Sequence, residues 1–94
     1  MELEFEWDEE KARTNLAKHG VSFLTAAEIF TNEIMERIDD REDYGEVRWI
    51  ALGRADADVF RVVYTWRGDR LIRIISAQKA SRDERDIYYR QTLL

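Results

Sequence analysis

Residues 59–66 (VFRVVYTW) and 71–77 (LIRIISA) constrain this chain more than anything else in it, because runs so rich in β-branched and aromatic side chains read as neighbouring strands. Only Arg67-Gly68-Asp69-Arg70 separates them, which predicts a β-hairpin in which Gly68 supplies the positive φ of a tight turn. With Gly68 and Asp69 as the turn, Arg67 opposes Arg70. Phe60, Val62, Tyr64, Trp66, Leu71, Arg73 and Ile75 then share one face, and Arg61, Thr65, Arg67, Arg70 and Ser76 share the other. A slip of one residue would exchange half of these assignments. Just beyond, Ser81 followed by Glu84 has the form of a capping box and predicts a final helix of about 10 to 12 residues. Arg61, Arg67, Arg70, Arg73, Lys79, Arg82 and Arg85 lie along these elements, more cations than a hairpin and a helix require to fold.

The remainder reads as support. Residues 2–7 alternate strictly, Leu3, Phe5 and Trp7 against Glu2, Glu4 and Glu6, as in a half-buried strand whose carboxylates face water rather than a metal. Asp8 is placed to cap a helix over 9–18, with Glu9 and Glu10 at its positive end and Gly20 stopping it. Ser22 caps a second helix over 23–30, whose Phe23, Ala26, Ala27 and Phe30 recur at helical spacing and should face the sheet. Strands are expected over 34–38 and 48–53. Between them DDREDYGE lacks the ligand alternation of a calcium loop and reads as a solvated loop. The order strand, two helices, four strands, helix defines an α+β domain with helices over one face of a mainly antiparallel sheet and polar residues on the other.

With 94 residues, no Pro and no Cys, the chain has room for one domain, 1–94, and no disulfide or cysteine-based zinc site. No apolar run is long enough to span a membrane and the start is acidic, so a soluble, cytoplasmic protein is expected. The net charge of −5 is unevenly spread: residues 1–46 carry −9 and residues 47–94 carry +4. Such asymmetry suits a basic surface for phosphates beside an acidic flank for a basic partner, and equally two ordinary solvated faces.

Strand-borne arginines with Tyr64, Tyr88, Tyr89, Trp49 and Trp66 nearby offer fixed charges for phosphates and flat rings for bases, which single-stranded RNA needs. The chain has no Cys nucleophile, no second His beside His19, no glycine-rich phosphate loop and no G-x-S-x-G elbow, which argues against acyl transfer and nucleotide hydrolysis. RNA carries its own nucleophile in the 2′-OH, so Arg and Lys that orient it and stabilise the phosphorane need no metal or other cofactor. Lys18 and His19, at the end of the first helix, suit that helix's negative pole, and His19 is also a candidate general acid or base.

The segments EFEWDEEKARTNLAKHGVSF, DDREDYGEVRWIALGR, VVYTWRGDRLIRIISAQKAS and RDERDIYY, in this order, resemble the BrnT family of bacterial toxins across nearly the whole chain. The resemblance implies a RelE-like fold and a metal-independent endoribonuclease that halts translation. It also implies a BrnA-type antitoxin, a ribbon-helix-helix protein through which alone the toxin would reach operator DNA. Carried over by motif, it points to Lys18, His19, Thr65, Arg67, Arg73 and Lys79. Lys18, His19, Arg67, Arg73 and Lys79 are the catalytic candidates, and Arg48, Arg61, Thr65, Arg70, Ser76 and Arg82 the RNA-binding ones. Trp66 and Gln78 depart from the family pattern, where an acidic residue and an arginine are expected. The alternative from another class is a binding module that docks RNA or protein on the same basic hairpin without cutting.

Overall fold

Capping side chains set the helices where the sequence places them. The computed structural model describes residues 2–92. Strand β1 spans Glu4–Glu6 and helix α1 spans Glu9–His19; Asp8 accepts the Lys11 N–H at 3.0 Å. Gly20 ends α1 at φ 70°, donating its N–H to Leu16 at 2.8 Å, a left-handed conformation in which glycine has no Cβ to clash. Ser22 caps α2, Phe23–Glu28, which tightens into a 3-10 turn over Ile29–Thr31. Strands β2 (Ile34–Ile38), β3 (Trp49–Ala55), β4 (Asp58–Trp66) and β5 (Leu71–Lys79) follow, then α3, Arg82–Thr92. Ser81 and Glu84 exchange hydrogen bonds of 3.1 and 2.8 Å at its start, the expected capping box.

The strands form one five-stranded sheet in the order β1-β5-β4-β3-β2, antiparallel except where β1 runs parallel to β5. Its inner face carries Ala51, Phe60, Val62, Tyr64, Ile72, Ile74 and Ala77, packed against Phe23, Ala26 and Ile29 of the α2 segment. Removing a side chain as buried as Phe23 or Ile74 from water contributes ~1.5–3 kcal/mol. Gly53 lies where the 3-10 turn crosses β3: a Cβ there would sit 2.7 Å from Ile29 Cβ and 3.0 Å from Ile34 Cγ2.

Helices α1 and α2 occupy the expected positions, but α3 lies on the opposite face, so helices flank both sides. The cause is apolar: Ile50 and Val63 are buried on that second face, and Ile50, Leu52 and Met35 line a groove with Ile87 of α3. Tyr88 of α3 is buried and donates its hydroxyl to Glu33 O at 2.7 Å.

The hairpin differs from expectation in turn and register. Arg67 N–H donates to Leu71 O at 2.8 Å, so three residues, Gly68, Asp69 and Arg70, form the loop and Arg67 does not oppose Arg70. Gly68 is not left-handed; Gly20 and Gly45 are the positive-φ glycines among the described residues. An irregularity between Val63 and Tyr64 leaves Ile75 without a partner, since Val63 pairs with Ser76 and Tyr64 with Ile74. The three-residue loop sets Arg73 opposite Thr65 rather than with Phe60 and Tyr64, and the irregularity turns Ser76 to the same side, so Arg61, Thr65, Arg73 and Ser76 share the second face.

Candidate active site

Helix α1 runs along the edge of β5 past β1 and α3 covers part of the second sheet face; Arg73 and Ser76, both partly exposed, lie on that second face between them. Arg73 is about a third exposed, and its Nη1 donates to Glu6 Oε2 at 2.8 Å. β1 brings Glu6 there because it pairs in register with β5, Glu6 opposite Arg73. Next along β5, Ile75 and Ser76 form the floor of a cleft of about 280 Å³ whose wall is α1, with Lys11, Thr14, Lys18 and His19.

Asn15 fixes that wall. Its amide donates to Ala77 O at 2.8 Å and Val21 O at 3.0 Å, and its oxygen accepts the Ala77 N–H at 3.1 Å. The buried side chain thus continues the hydrogen bonding of β5 past the end of β1, satisfying groups that would otherwise be orphaned. It sets Lys18 and His19 beside Ser76.

The loop 39–48 closes the other end; it is exposed over 40–43, as expected from sequence, but Asp39 at its start is drawn inside. Asp39 is buried, and its carboxylate accepts from Arg41 Nε and Nη2, both at 2.7 Å, and from the Tyr44 hydroxyl at 3.2 Å. Arg41 holds that carboxyl well below the ordinary aspartate range, against the opposing effect of burial. Arg48 stacks on Tyr44, its Cζ 4.2 Å from the ring centre. Glu46 receives both Arg48, at 3.0 Å, and Arg67, at 3.5 Å.

The predicted residues thus fall into separate groups. Lys18, His19 and Ser76 line the cleft, Arg73 lies on the same face as Ser76, and Arg61 stands further along that face, its Nε buried 3.3 Å from Glu84 but outside hydrogen-bond geometry. Arg67 and Arg48 gather on Glu46 at the loop end. Thr65 is buried and donates to Val47 O at 2.7 Å, so its hydroxyl anchors the loop instead of facing a ligand. Lys79 pairs with Asp58 at 3.6 Å, opposite Phe60 on the far face of the sheet, and six residues beyond Arg73 it is roughly 20 Å away. Arg70 in the hairpin loop and Arg82 at the head of α3 are exposed and take no ion pair among the described residues. The ring faces expected for bases are not all available: Tyr64 and Tyr88 are buried, and burial raises the affinity of both hydroxyls for their protons. Trp66 is exposed but pairs with Ile72 on the α1/α2 side.

Sequence reasoning missed Glu6, Glu46 and Asn15. Period-2 alternation places Glu6 on the outer side of its strand, but nothing local says that β5 brings an arginine beside it.

A mixed sheet between helices, with arginines on its second face and a Lys-His pair at the end of the first helix beside it, defines a small α+β domain. The chain belongs to the BrnT family: the family model described as the ribonuclease toxin, BrnT, of type II toxin-antitoxin systems matches residues 7–84. Among solved structures it is similar to the Brucella abortus ribonuclease toxin BrnT, with a TM-score of 0.65 and 27% identity over 85% of this chain and 99% of that one. No curated protein sequence matches significantly. Membership makes the chain a ribonuclease toxin of a type II system, a class defined by pairing with an antitoxin. Among the described residues no helix is long and apolar enough to cross a membrane.

Proposed function

We propose that the chain acts as one toxin domain over residues 1–94 that cleaves single-stranded RNA by attack of a 2′-OH on the adjacent phosphate, without a metal, and so inhibits translation. One observation carries this reading: Arg73 and Ser76 share one face of β5, and Ser76 lines the cleft that Lys18 and His19 also line. A scissile phosphate on Arg73 would meet a fixed, planar cation suited to the charge that builds up in the phosphorane. Ser76 and Lys18 would hold the flanking ribose and phosphate, and His19 would protonate the departing 5′ oxygen. Arg61, Arg67, Arg48, Arg70 and Arg82 would serve the RNA backbone, whereas Lys79, on the far face, has no place in the chemistry. In the resting cell a BrnA-type ribbon-helix-helix antitoxin would cover this face and carry the complex to operator DNA.

The test is the chemistry of the ends. Incubation of RNA with the purified protein in EDTA should give 2′,3′-cyclic phosphate and 5′-hydroxyl termini. RNA that is protected but intact would favour the binding-module alternative, and 5′-phosphate ends would reject the mechanism.

A further inference from the structure

We propose that Glu6 is the general base that takes the proton from the attacking 2′-OH, a reading that rests on the RNA cleavage proposed above. Glu6 and Arg73 are 67 positions apart and meet only because β1 pairs in register with β5. The fold has little need of that contact. Both side chains are about a third exposed, and ion pairs of that kind contribute little to stability. Two features fit a chemical role instead. Only Oε2 is bonded to Arg73, and among the described residues Oε1 takes no hydrogen bond, so one carboxylate oxygen is oriented while the other is free to accept a proton. The partner is also the cation proposed to bind the reacting phosphate, so a phosphate on the guanidinium lies within reach of the carboxylate without further movement.

Two other carboxylates near the site are badly placed. Glu10 lines the same cleft, but its side chain is more than three-quarters exposed and pairs with Arg13 on the outside of α1. Glu46 is committed to two arginines. Glu6 on β1 and His19 at the end of α1 come to the same edge of β5, at Arg73 and at Ser76, so base and acid are spaced along the strand on either side of the position proposed for the phosphate. The step then balances. The 2′-OH proton passes to Glu6 as O2′ bonds to phosphorus; the P–O5′ bond breaks, and the 5′ oxygen takes its proton from His19. Glu6 ends protonated, His19 deprotonated, and the RNA carries a 2′,3′-cyclic phosphate.

Two substrates separate the roles: an RNA oligonucleotide and its counterpart with sulfur replacing the bridging 5′ oxygen, a leaving group that departs without an acid. Glu6→Gln keeps the size and the hydrogen bond to Arg73 but cannot accept the proton. It should lose about 10²–10⁴-fold in cleavage of both substrates, the range for a positioned base. His19→Gln should lose activity on the ordinary RNA and recover most of it on the sulfur-bridged one. Glu6→Asp, a shorter arm that keeps the base, should exceed Glu6→Gln, and a 2′-deoxy oligonucleotide should bind Glu6→Gln as tightly as the unmodified protein. Overturning results are equal or faster cleavage by Glu6→Gln, which would make Glu6 a mask on Arg73; rescue of Glu6→Gln by the sulfur leaving group; or melting far below the unmodified protein, which would mean the pair serves the fold. If the unmodified protein forms no cyclic phosphate, the cleavage reading fails instead.

Discussion

Arg73 is the residue on which the reading depends, and its placement was only half legible. Its presence in a strand followed from the β-branched run around it. Its face did not, because the three-residue loop sets Leu71 opposite Arg67 and thereby Arg73 opposite Thr65. Glu6 shows the same gap between local pattern and long-range pairing, since no residue near it announces the strand it will join. Arg73→Ala should slow RNA cleavage by about 10²-fold or more, the cost of a lost transition-state donor, while leaving the melting temperature nearly unchanged. Lys79→Ala should change the rate by less than about threefold, because a screened, exposed lysine on the far face acts on RNA only at long range. Rate measurements on the two variants side by side check the assignment, and an equal loss in both would reject it.

At the scale of elements, the caps and the apolar periods were legible and the loops were not. Asp8, Ser22 and Ser81 begin helices where their side chains predict, since capping is a matter of residues three apart. The strip 39–46 looked solvated because its composition is acidic, yet Asp39 is buried by a guanidinium two positions away and a tyrosine five away. That burial has a pH signature. The folded protein holds the Asp39 carboxyl below its ordinary value of 3.8, so its contribution to stability is complete above that value and is lost as pH falls through the lower, folded one. Asp39→Asn should lower stability at neutral pH by about 1–2 kcal/mol and flatten the loss between pH 4 and 2, as urea titrations at stepped pH would show. Gly53 reports on packing in the same way. Gly53→Ala must push the 3-10 turn off β3 and should cost ~1–3 kcal/mol in thermal unfolding, an effect absent if the turn can shift freely.

Over the whole molecule, part of the charge asymmetry of the sequence is met by ion pairs within the fold. The acidic first half supplies counter-ions to the basic second half: Glu6 to Arg73, and Glu46 to Arg48 and Arg67. What stays exposed of the acidic loop is Asp40, Glu42 and Asp43, so the surface offered to a basic partner is smaller than the count of carboxylates suggests. If the antitoxin covers the second sheet face with its own acidic or hydrogen-bonding groups and meets that loop with basic ones, association should slow as salt rises. Replacing Asp40 and Asp43 with Asn, leaving the buried Asp39 intact, should slow it further; unchanged on-rates measured by stopped-flow would remove the loop from the interface. The measurement that bears most directly on the central claim is end analysis of RNA cut in EDTA by the unmodified protein and by Arg73→Ala. The account predicts 2′,3′-cyclic phosphate and 5′-hydroxyl ends from the first and about a hundredfold less of the same ends from the second. Full cleavage by Arg73→Ala, or ends of any other kind, would contradict it.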